Sequence, residues 1–204
     1  MRAWHATISI FVGLATVASL TAACQSNTYY IIGEAPDAAD GTVLYLSTDA
    51  SGGNRLDTNV NSGRPTASTL LDSITVIGGR FSYAATTDTA RLCRLYDKAR
   101  PESSVTLFLE PGNIYVELSK KEGRSRVSGT VVNNQWQALN DTVAKYDVRL
   151  RLLMLTAGDS INPRCMHAQV TEIYNNLTRH ISEAALTNRD NALGRFIATH
   201  WQQH

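Results

Sequence analysis

Near residue 130 the apolar residues of this chain change their spacing, from every second position to every third and fourth. A period of two belongs to strands and a period near 3.6 to helices, so the chain must build a β part first and a helical part after it. From Tyr29 to about Thr130 the sequence is rich in Val, Ile, Thr, Tyr and Gly, and short runs such as "TYYIIGEA" and "TVLYLST" are separated by turn residues. "SITVIGGRFSYAA" reads as a hairpin, because Gly78 and Gly79 supply the positive φ angles a two-residue turn demands. "ARLCRLYD" and "VTLFLEPGNIYVELS", the latter broken at Pro111 and Gly112, add further strands, and "RVSGT" closes the series. About seven short strands without a long helix among them predict an antiparallel sandwich, or else a partly open barrel, over residues 24–130.

From Asn134 the pattern is helical. Trp136, Leu139, Val143, Tyr146, Leu150, Leu153 and Met154 form one stripe, which Gly158 ends. Met166, Val170, Ile173, Leu177, Ile181 and Leu186 form a second, with Pro163 where a helix can start, and "NALGRFIATHW" predicts a short third helix. A helical hairpin cannot bury two stripes alone, so residues 131–204 are expected to dock on the sandwich with Trp136 at the seam. The fold class read from the sequence is α+β. The segment from Ser47 to Thr69 has no apolar period and reads as a long loop, without the aromatic residues that anchor recognition.

The first 23 residues have the parts of an export signal: Arg2, an apolar run from Ile8 to Leu20, and small residues before Cys24. The run is too short for a membrane-spanning helix. Cleavage before Cys24 would make that thiol the N-terminal residue, which resembles the lipobox of bacterial lipoproteins. Cys24 is therefore read as a lipidation site and the membrane as a partner through its lipid. Gln25 rather than Asp follows it, which points to the outer membrane, facing the periplasm. Ordinary secretion is the alternative.

Of 19 Lys and Arg, losing Arg2 leaves 18 against 18 Asp and Glu, a mature chain of zero formal charge. That argues against a nucleic-acid partner, which needs a basic face; Arg91 with Arg94, Lys120 with Lys121, and Arg124 with Arg126 read as solvated turns and edges. No nucleophile elbow, phosphate-cradling loop or paired-carboxylate motif is present, so no catalytic residue and no cofactor is expected. His200 and His204 have the spacing of metal ligands, but no Glu follows the first, and with His167 and His180 they read as solvent-exposed rather than as a metal site.

"LLDSITVIGGRFSYAA", "VTLFLEPGNIYVELS", "VSGTVVNNQWQALN" and "LTNRDNALGRFI", in that order, resemble the domain of unknown function at the N-terminus of thioredoxin-like thiol-disulfide oxidoreductase lipoproteins of a lineage of Gram-negative anaerobes. The resemblance runs from about Tyr29 to Ile197. It implies an accessory binding or scaffolding domain, expected here without the thioredoxin domain, since Trp-Cys-x-x-Cys is absent from the chain. The alternative is a part in periplasmic thiol exchange, directly or with a thioredoxin-like partner protein. Cys93 and Cys165 keep three fates open: inert thiols, a structural disulfide, or a redox-active pair. Asp followed by Ser or Thr and an aliphatic residue resembles the O-glycosylation acceptor of exported proteins in that lineage, which marks Ser73, Thr89, Thr142 and Ser160. Local capping explains the same pattern equally well.

Overall fold

The computed structural model describes residues 27–48, 69–121, 123–156 and 162–201. Among them are eight strands, β1 (Thr28–Glu34), β2 (Val43–Ser47), β3 (Leu70–Thr75), β4 (Arg80–Thr86), β5 (Arg91–Asp97), β6 (Arg100–Leu109), β7 (Gly112–Glu117) and the short β8 (Arg126–Ser128). Three helices follow: α1 (Val131–Thr156), α2 (Pro163–Thr187) and α3 (Ala192–Trp201). The α+β class expected from the change of period is the class observed. The strands form two four-stranded sheets, ordered β4-β1-β7-β8 and β3-β2-β5-β6. Alternate residues turn inward from both: Tyr29 and Ile31 of β1, Leu44 and Leu46 of β2, Leu95 of β5, Leu107 of β6, and Ile114 and Val116 of β7 are buried in one cluster.

Two features depart from the sequence reading. One neighbour pair is parallel: β1 and β7 run side by side in the same direction, while every other pair is antiparallel. The cause is that β7 arrives from β6 in the other sheet and enters beside the start of β1, with Gly112 opposite Tyr29. The second departure is at Gly78 and Gly79. Both have positive φ, 59° and 71°, and Ile77 and Arg80 exchange both backbone hydrogen bonds at 2.8 and 3.0 Å, so the tight turn forms. The strands it joins then part after that single bridge, β3 into one sheet and β4 into the other. The expected hairpin is a corner between layers.

The outermost strands β6 and β8 leave backbone groups without a strand partner, and α1 supplies partners from its side chains. Asn133 accepts from the Phe108 N–H at 2.8 Å and donates to the Phe108 carbonyl at 2.8 Å. Trp136 Nε1 donates to the Thr106 carbonyl at 3.0 Å, and Gln137 Oε1 accepts from the Val127 N–H at 2.9 Å. These residues lie at spacings of three and four, one face of a helix, so the first turns of α1 cover the edges of both sheets. Glu110 accepts from the Val132 N–H at 3.0 Å, placing a carboxylate where the helix dipole favours one. Trp136 is wholly buried, edge-on to Phe108 and to Phe196 of α3.

Between α2 and α3 the chain turns through Asn188 and Asn191. Asn188 donates to the Ala184 carbonyl, and Asn191 Oδ1 caps α3 by accepting from Leu193 and Gly194. A Cβ on Gly194 would collide with the Asn188 carbonyl, which explains the glycine in "NRDNALGRF". The helical stripes are buried only in part: Val143 is the last buried residue of α1 and Ile173 the first of α2, while Val148, Leu152, Met154 and Leu155 are exposed.

Candidate functional site

The outward face of the first sheet is not wholly polar. Strand register sets its side chains in rows, since residues opposite each other share a face. One row is Ser82, Ile32, Tyr115 and Ser128; the next is Arg80, Glu34, Glu117 and Arg126; on the other side Tyr30 stands between Ala84 and Asn113. Tyr30, Ile32 and Tyr115 are 47, 43 and 46 % exposed, so two aromatic rings and an isoleucine face solvent side by side. The period of two alone predicts ordinary sandwich strands for β1 and β7, and it does not mark this face. The signal it passed over is in "TYYIIGE", where apolar residues occupy consecutive positions and therefore both faces of the strand.

Helix α1 runs along one border of this face and closes it into a groove of about 480 Å³, lined from the sheet by Ile32, Tyr115 and Ser128 and from the helix by Asn134, Ala138 and Asp141. Gly129 lets the floor form: its φ is 105°, and a Cβ there would collide with the Asn113 carbonyl and the Tyr115 ring. The polar rim is partly self-satisfied. Arg126 pairs with Asp141 at 2.6 Å and Arg80 with Glu34 at 3.6 Å, while Gln137, already held by Val127, donates to Asp141 at 2.9 Å. Glu117 has no ion-pair partner among the described residues, because Arg126, opposite it in the register, reaches to the helix instead. A second hollow of about 620 Å³ lies by Tyr45 and the β5–β6 turn, where buried Asp97 accepts from Ala99 and Arg100 and so holds the turn itself.

The residues marked in the sequence are scattered. Cys24, Ser160, His204 and residues 49–68 of the long loop lie outside the described residues. Cys93 and Cys165 are both free: Cys93 faces inward from β5 in the core, and Cys165 is exposed in the first turn of α2. The structural disulfide considered for them is not formed, since one thiol lies in the core and the other on an exposed helix. Burial pushes the Cys93 thiol up to about 11. Ser73 is exposed, but the aspartate before it is engaged: Asp72 accepts from the Ser73 N–H and from the Tyr83 hydroxyl, which together hold its carboxyl below the usual range. Thr89 is exposed, and the Thr142 hydroxyl donates back to the Ala138 carbonyl within α1. His200 stacks on Phe196. Among the described residues no three His, Cys, Asp or Glu side chains gather as metal ligands, and no helix is long and apolar enough to cross a membrane.

A family model described as a domain of unknown function, DUF4369, matches residues 29–136, more than half of the chain. The chain belongs to this family. The DUF4369 match contains the eight strands except Thr28, the first residue of β1, and ends on Trp136, inside α1, so it takes in Asn133 and Trp136, which cover the edge of β6. The sheet face of the groove is part of the DUF4369 domain; Gln137, Ala138 and Asp141 lie beyond the match. No curated protein matches the chain.

Proposed function

We propose that this DUF4369 protein is a lipid-anchored envelope protein acting as a non-catalytic binding or scaffolding module, and that the groove between the first sheet and α1 is its contact surface. The observation that carries the proposal is the exposed patch of Tyr30, Ile32 and Tyr115, the last two of which line that groove. Apolar and aromatic side chains gathered on a wet face cost solvation unless a partner covers them, and aromatic residues dominate contact energies when one does. The groove's chemistry is that of recognition: a ring, hydroxyls, two amides and three carboxylates, two of which are occupied by arginines.

The test is capture from an envelope extract by the mature protein and by its Ile32→Ser/Tyr115→Ser variant, both shown by circular dichroism to be folded. The wild type should retain a partner that the variant loses; an identical set of captured partners would remove the groove from the proposal. Anchoring through Cys24 is tested separately by metabolic labelling with a palmitate analogue. Label should be lost in Cys24→Ala, and a variant that keeps both label and membrane fractionation would overturn the anchor. Thiol exchange has less support, because Cys93 is buried and its thiolate disfavoured, leaving Cys165 without a resolving partner among the described residues.

A further inference from the structure

We infer that the groove takes the side chain of a lysine or arginine presented by a protein partner, with Glu117 receiving the charge. The inference rests on the groove being the contact surface and adds its ligand class. Around the groove three carboxylates, Glu34, Glu117 and Asp141, stand against two guanidiniums, Arg80 and Arg126. Both guanidiniums are already engaged, at 3.6 and 2.6 Å, and the carboxylate left over is Glu117. An anionic ligand would have to break an ion pair to find a cation there, whereas a cationic one completes the set.

The geometry below Glu117 fits the stem of such a side chain. Tyr115 is two residues before it on the same face of β7, and Ile32 lies opposite Tyr115 on β1, so an apolar floor leads up to the carboxylate. Along α1 the groove extends from Asn134 to Asp141, seven residues, or about 10 Å of helix. An extended lysine or arginine side chain is shorter than this, so it can lie on Ile32 and Tyr115 with its head at Glu117 and its backbone still over the groove. Long cationic side chains are suited to this, since their methylenes pack on apolar surface while the head stays solvated, and a tyrosine face attracts the cation as well.

The experiment is amide NMR of the mature, non-lipidated protein titrated with the blocked pentapeptide Ala-Val-Lys-Val-Ala, its arginine counterpart, and the norleucine analogue that keeps the stem and lacks the charge. The cationic peptides should shift the amides of Gly33, Val116, Val127 and Ala138, weakening by up to about fivefold in Glu117→Gln and weakening also as salt is raised from about 0.05 M to about 0.5 M. Equal shifts from the norleucine peptide, shifts unaltered in Glu117→Gln, or no groove shifts from either cationic peptide would overturn the inference. Chitotriose serves as the neutral glycan arm. If it alone moves the groove amides, the cationic class is wrong while the groove stands as a contact surface; if the Ile32→Ser/Tyr115→Ser variant keeps its envelope partners, the underlying proposal fails instead.

Discussion

Asn133 is a fully buried amide whose two ends serve as a strand would, one accepting from the Phe108 N–H and the other donating to its carbonyl and to Thr130. Replacing it by leucine keeps the branched shape in a somewhat larger side chain and strands both backbone groups in a dry site, so Asn133→Leu should cost about 2 to 4 kcal/mol in urea unfolding. Asn133→Asp should fail as well, because a carboxylate cannot donate to the Phe108 carbonyl; an unchanged midpoint in either variant would remove the edge-pairing role. Asp72 closes the opposite side of the sandwich by accepting from Tyr83, and its lowered carboxyl makes a pH prediction. A group held below its unfolded value stabilises the fold above that value and loses the contribution as pH falls through the folded one. The melting temperature gap between wild type and Asp72→Asn should therefore be constant near neutrality and shrink below about pH 4. A gap independent of pH down to about pH 2 would show that the carboxylate's charge is not what matters.

Helix α1 joins the two halves of the chain, because its first turns complete the edges of both sheets. Trp136 fills the space between β6 and α3 and hydrogen-bonds the Thr106 carbonyl, so Trp136→Ala should cost about 3 to 5 kcal/mol. Trp136→Phe should keep most of the packing and lose about 1 kcal/mol with the hydrogen bond. Equal losses in the two variants would mean that ring packing contributes little. The strands and helices themselves were legible in the sequence, since a period of two or of 3.6 is a local property, and the start of α1 at Val131 lies close to the Asn134 read from the pattern. What the sequence did not disclose depends on pairing. The parallel β1–β7 neighbours and the corner at Gly78 and Gly79 are decisions about which sheet a strand joins, and the same alternation suits either sheet. The groove stayed hidden for a related reason. Ile32 comes beside Tyr115 and Glu117 only through that parallel register, and Asp141 only through the docking of α1.

At the scale of the whole molecule, α1 runs antiparallel to β8, as the contacts of Asn134 with Gly129, Gln137 with Val127 and Asp141 with Arg126 show in succession. It therefore points along β1, away from Asn27, and the α1–α2 hairpin projects at the end opposite the chain's entry into the sheet. With a lipid on Cys24, three residues before Asn27, the sandwich would sit close to the membrane and the hairpin would reach into the envelope space. The halves should nonetheless unfold together. Phe108, Thr106 and Val127 lose the partners of their backbone groups without α1, and Trp136 loses Phe196 without α3, so neither the sheets nor the helices are complete alone. A fragment of residues 24–129 would carry two uncovered edges and should aggregate or remain unfolded. Calorimetry of the mature chain should give one transition with equal calorimetric and van't Hoff enthalpies. The hairpin beyond Val143 and before Ile173, which has no buried residue among those described, should exchange its amides ahead of that transition. Two resolved transitions, or a soluble fragment 24–129 with native near-ultraviolet dichroism, would show instead that the sandwich is an autonomous domain and that α1 merely rests against it.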